Sequence, residues 1–155
     1  MAHYTDYWYS NSDDSDSSLE PDDMAQMELR SSGCHQIIDP DFYYHYTTHH
    51  GKIHIKYSKQ LLPSTPNQFA GNLGNGVYVS DCHPSTKTST LRYQLFKKGK
   101  KSDFKMVCYV KLRKSDVKRL YPDVKQYADG RRSFRINTHQ QPMSLNGIEH
   151  SFGDR

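Results

Sequence analysis

Long apolar runs are missing from this 155-residue chain, and with no stretch of about eighteen or more such residues a membrane-spanning helix is excluded. Cysteine is scarce. Cys34, Cys82 and Cys108 are widely spaced and form no CxxC pair, which argues against a disulfide framework or a structural zinc site and predicts reduced thiols. No HExxH spacing occurs, so although "HHGKIH" at 49–54 is the densest group among the nine histidines, no metal site is expected. The opening residues, "MAHYTDYWYSNSDD", lack the basic start and apolar stretch of a secretory signal. These absences together predict an intracellular protein, cytoplasmic or nuclear, without membrane contact. Internal repeats are also lacking, which excludes a solenoid.

Acidic residues are scarce after residue 30. The first thirty residues hold eight Asp/Glu against one Arg, leaving nine Asp/Glu against twenty Lys/Arg in the remainder, so an overall charge of +4 hides a strongly basic domain. Such a domain attracts anions: a nucleotide cofactor, nucleic acid or an acidic protein. Residues 1–33 are rich in Ser and Asp ("SNSDDSDSSLEPDD"), show no helical or strand period and read as a disordered acidic tail. Residues 34–155 are long enough for one folded domain and too short for two, and nothing in them calls for a second copy, so a monomer is expected.

Within that domain Phe42–Thr47, "FYYHYT", suits a strand. Thr47 or Thr48 then caps a short helix to about Tyr57, with Ile53 and Tyr57 four apart on one face. "QLLPS" reads as a second short strand and "VYVSD" as a third, followed by a helix over about Ser89–Lys97. In "DFKMVCYVKLRK", Met106, Cys108, Val110 and Leu112 alternate with Val107, Tyr109 and Lys111, which predicts a central strand with one apolar face. "SDVKRLYPDV" makes a turn of helix at most, "RRSFRIN" a basic strand, and "MSLNGIEHSF" a weakly patterned end. Strands interspersed with short helices predict an α+β domain.

The glycine-rich "GNLGNG" lacks the Lys and Ser/Thr of a phosphate-binding loop and runs into a strand, not a helix, so phosphate cradling is not its role. It is a tight turn in which Gly74, Asn75 and Gly76 supply positive φ. Beyond it, Tyr78 and Ser80 share one strand face and Val77 and Val79 the other. With the valines toward the core, Tyr78 faces a cleft.

Two stretches gain meaning together. "HYT" (His45, Tyr46, Thr47) closes the first strand, and "GNGVYVSD" (Gly74 to Asp81) follows some thirty residues later. This pairing resembles the ADP-ribosyltransferase superfamily, in particular the toxin-type branch with a His-Tyr-Asp signature and, more distantly, the poly-ADP-ribose polymerase catalytic domain. The similarity covers about Phe42 to Cys82 and extends loosely to Leu145. The resemblance implies a fold of split antiparallel sheets with short helices, NAD as substrate, and cleavage of the nicotinamide–ribose bond through an oxocarbenium-like transition state. By resemblance, His45 holds a hydroxyl of the adenosine ribose, Thr47 the nicotinamide side, and Tyr78 stacks on the nicotinamide ring, with Tyr46 and Gly76 lining the cofactor. The carboxylate that offsets ribose charge falls to Asp129 in "YADGRRSF", with Glu149 as the second candidate and Gln140 and Gln141 as uncharged substitutes; Ser133 stands where many relatives carry Glu. The expected function is transfer of ADP-ribose to a protein or nucleic-acid acceptor, or hydrolysis of NAD on the same scaffold. The alternative is an inactive domain of this fold that binds nucleic acid or an acidic partner through "KKGKK" (97–101) and "RRSFR" (131–135).

Overall fold

A computed structural model describes residues 36–64, 73–96 and 105–155. The acidic tail and the "KKGKK" segment lie outside the described residues. What is described is a mixed α/β unit built on one antiparallel sheet. Six strands pair in the order β5-β6-β3-β1-β4-β8: β1 (Phe42–Thr47), β3 (Val77–Ser80), β4 (Cys108–Arg113), β5 (Val124–Gln126), β6 (Ser133–Ile136) and β8 (His150–Asp154). A second, two-stranded sheet joins β2 (Gln60–Leu61) to β7 (Met143–Ser144). Three short helices are described: α1 (His49–Ser58), α2 (Thr88–Phe96) and α3 (Lys114–Leu120). None is long or apolar enough to cross a membrane.

The large sheet is covered on both faces. On one, Tyr43, Val77, Val79, Val110, Leu112, Phe134 and Ile136 meet Ile55 of α1, Val117 of α3, and Leu61 and Met143 of the small sheet. On the other, Tyr44, Tyr46 and Tyr78 meet Cys82, Met106, and Leu91 and Leu95 of α2. Burial from both sides explains why β1 reads as a near-continuous aromatic run, whereas β4 alternates strictly between buried and half-buried residues.

Thr48 caps α1, its hydroxyl accepting the Gly51 N–H at 3.1 Å, and Lys59 ends the helix in the left-handed region (φ 57°). Ile53 and Tyr57 are 64% and 94% exposed, and the residues turned to the sheet are Gly51 and Ile55. β4 is interior but lies one strand in from the edge, with β1 and β3 at the centre. α3 is seven residues long, more than the single turn expected, and β5 was not anticipated at all. The weakly patterned end supplies both β7 and the edge strand β8.

Candidate functional site

The glycine turn has two different physical causes. Gly74 takes the left-handed region (φ 80°), which a side chain rarely adopts, while Asn75 does not share it. Gly76 is needed for space: a Cβ there would lie 2.5 Å from the Ile136 carbonyl oxygen and 2.7 Å from Cγ of Arg135. The turn therefore exists because β6 passes directly over it, with the Arg135 Nη1 donating to the Leu73 carbonyl at 2.8 Å.

Beyond the turn, β1 and β3 scarcely pair. Tyr44↔Ser80 is their one register pair, against six between β1 and β4. Into the gap comes the imidazole of His45, whose Nδ1 lies 2.9 Å from the Tyr78 carbonyl oxygen. A side chain thus replaces ladder bonding at this point, which brings His45 and the Tyr78 backbone together. The two rings, however, leave the sheet on opposite faces. His45 lies opposite Val110 on the aliphatic side, and the Tyr78 ring packs among the tyrosines of the other side.

Tyr78 is 1% exposed, so it does not face an open cleft. Its hydroxyl donates to the Gly74 carbonyl at 2.5 Å, and burial holds its pKa well above the usual tyrosine range. Tyr46 is equally buried and donates to the Cys82 carbonyl at 2.6 Å. Thr47 is buried opposite Cys108, and Gly76 lies at the turn just described.

Asp129 sits in the β5–β6 connection. Its carboxylate accepts from the Arg131 N–H at 3.1 Å and from the Arg131 guanidinium at 2.9 Å. That guanidinium lies 4.1 Å from the centre of the Tyr127 ring, and Tyr127 packs against Tyr78 with ring centroids 6.3 Å apart. Asp129 is thereby linked to Tyr78 through two intermediates. Glu149 is at the opposite edge of the sheet, just before β8, where it pairs with Arg113, whose hydrogen bond holds the carboxyl below its usual range. Ser133 is fully buried and donates to the Gln94 carbonyl at 2.5 Å, while Gln140 and Gln141 are exposed in the turn after β6.

Asp81 closes the quoted motif but was assigned no role from sequence. It is fully buried and accepts a two-pronged bond from Arg132 (2.9 and 2.5 Å) together with the ammonium of Lys114 at 3.0 Å. Lys114 also donates to the Asp39 carbonyl, so this one carboxylate ties the exit of β3 to the entries of β1, α3 and β6. Its partners lie 33 and 51 residues away, a separation no local motif records. Comparison with family models, with curated proteins and with solved structures returned no match.

Proposed function

We propose that the domain acts on NAD, as an ADP-ribosyltransferase or an NAD glycohydrolase on an ADP-ribosyltransferase-like scaffold of split sheets. The observation that supports this most directly is the meeting of His45 with the Tyr78 carbonyl where β1 and β3 part. The short pairing of β1 with β3 between these two motifs is where a dinucleotide enters under this reading, and the Nδ1 bond fixes the plane of the imidazole. In the reaction the bond from C1′ of the ribose to nicotinamide breaks, nicotinamide leaves with the electron pair, and water or an acceptor protein or nucleic acid attacks C1′ and loses a proton.

Nicotinamide stacks on Tyr78 where Tyr127 now packs, so binding requires Tyr127 to move. Arg131 lies over Tyr127 and also holds Asp129. One displacement of the β5–β6 connection therefore uncovers the ring and releases the carboxylate to face the developing ribose charge. Thr47 and Gly76 lie at the opposite end of these strands from that connection.

Nicotinamide release from NAD by the purified full chain tests this reading. We expect release that falls about 100-fold or more in Asp129→Asn and in Tyr78→Ala, the scale seen when a group that stabilises transition-state charge is lost. His45→Ala is expected to weaken NAD binding along with turnover.

A second reading has its own support: Asp129 is engaged by Arg131, Glu149 lies at the opposite edge of the sheet, and the Tyr78 ring is covered. Under it the domain is a non-catalytic module that binds an anionic partner. NAD binding or partner binding without nicotinamide release favours the second reading. Release untouched by all three substitutions rules out the first.

A further inference from the structure

At the end of β1 that carries Thr47, three elements converge on one point. Thr48 starts α1, which returns His49 over the first residue of β4, Cys108, and Cys108 is the cross-strand partner of Asp154 at the end of β8. Cys108 Sγ lies 3.3 Å from His49 Nδ1 and 3.1 Å from Asp154 Oδ1, and the three potential ligand atoms all lie within 4.8 Å of one another. His49 and Asp154 are exposed, whereas Cys108 is fully buried, so the cluster opens to solvent through two of its three members.

We propose that His49, Cys108 and Asp154 form a binding site for a zinc-type divalent metal ion. The separations suit it. Zinc bonds of about 2.3 Å to sulfur and about 2.0–2.1 Å to nitrogen at a tetrahedral angle place the two ligand atoms roughly 3.5 Å apart. The 3.3 Å between Sγ and Nδ1 is within a few tenths of an ångström of that spacing. One soft thiolate, one imidazole and one carboxylate select a zinc-type ion over magnesium or calcium, which prefer oxygen alone. Three protein ligands leave a fourth position to water. Two of the three come from directly paired residues of neighbouring strands and the third from a capped helix start, which gives a rigid frame.

Nucleophilic chemistry is the obvious rival for a Cys, His and Asp grouping. In such a triad the carboxylate orients the histidine, but here both His49 and Asp154 contact the sulfur itself. When the metal–sulfur bond forms, the thiol proton passes to solvent. Lys52, one turn into α1, places its ammonium on the same Asp154 oxygen that accepts from Cys108. A bound dication takes over that position, so Lys52 competes with the metal. This site is independent of the NAD reading.

The test uses the full chain, reduced, stripped with a chelator and titrated with Co²⁺ as a spectroscopic probe. The expected result is thiolate-to-cobalt charge-transfer absorption that saturates at about one equivalent and is displaced by Zn²⁺. Cys108→Ser should abolish the band and Cys34→Ser preserve it. His49→Ala and Asp154→Asn, both at exposed positions, should weaken binding by about tenfold or more. Lys52→Met should strengthen it. Absence of the band, its survival in Cys108→Ser, or unchanged affinity in both His49→Ala and Asp154→Asn would overturn the proposal.

Discussion

The two faces of the central sheet are both buried yet differently built. One is closed mainly by aliphatic side chains, among them Val77, Val79, Val110, Leu112 and Ile136, which carry no polar atom and ask only for the right volume. The other is closed by Tyr44, Tyr46 and Tyr78, and each of these hydroxyls has a fixed acceptor: the Asp39 carboxylate, the Cys82 carbonyl and the Gly74 carbonyl. Volume can be met by many residues, but a buried hydroxyl with one acceptor cannot easily be moved. The aliphatic face supplies cohesion, and the tyrosine face, which carries the Tyr78 ring, supplies position.

Alkali should separate the two faces most strongly. Burial raises the pKa values of Tyr44, Tyr46 and Tyr78 above that of an unfolded tyrosine, so the native state keeps protons that the unfolded state releases. Stability from this layer is complete below about pH 10 and declines as pH rises toward the raised native values. Circular dichroism against pH, alongside tyrosinate absorbance, should show cooperative unfolding together with delayed ionisation. Tyrosinate that appears with an unperturbed midpoint while the fold persists would contradict it.

Next in size is Asp81→Asn. It leaves Arg132 and Lys114 without their shared buried counter-charge, and a loss of about 3–5 kcal/mol in chemical denaturation is expected. Leu112→Ala on the aliphatic face should cost about 2–5 kcal/mol while leaving the tyrosine ionisation unchanged. Tyr46→Phe keeps the volume and removes one hydroxyl, so its cost of about 1–3 kcal/mol isolates the hydrogen bond to Cys82. Smallest is Ile53→Ser on the solvent face of α1, expected within about 0.5 kcal/mol of wild type.

Features that depend on neighbours in the chain were legible from sequence. The strand at Phe42–Thr47, the Thr48 cap and the alternation of β4 follow from local spacing and appear where expected. Ile53 and Tyr57 were legible as sharing a helix face, but an i, i+4 apolar pair does not say which side of the helix meets the sheet; Gly51 and Ile55 do. Alternation in β4 revealed a buried face but not the strand's place in the order. β5 and β8 were hard to read since edge strands are short or half-exposed and need no continuous apolar face. For the candidate site, His45 and Tyr78 were found through motifs. The Asp81 clamp and the grouping of His49, Cys108 and Asp154 join residues 33 to 102 positions apart through Lys114, Arg132 and Lys52, and only the folded chain assembles them.

The close pass of β6 over Gly76 also bears on how this segment should be read in any mutational library. Selection for folding alone would return glycine at 76, because every larger residue meets the Ile136 carbonyl and the Arg135 stem. An invariant glycine there would report on strand crossing and carry no information about a ligand.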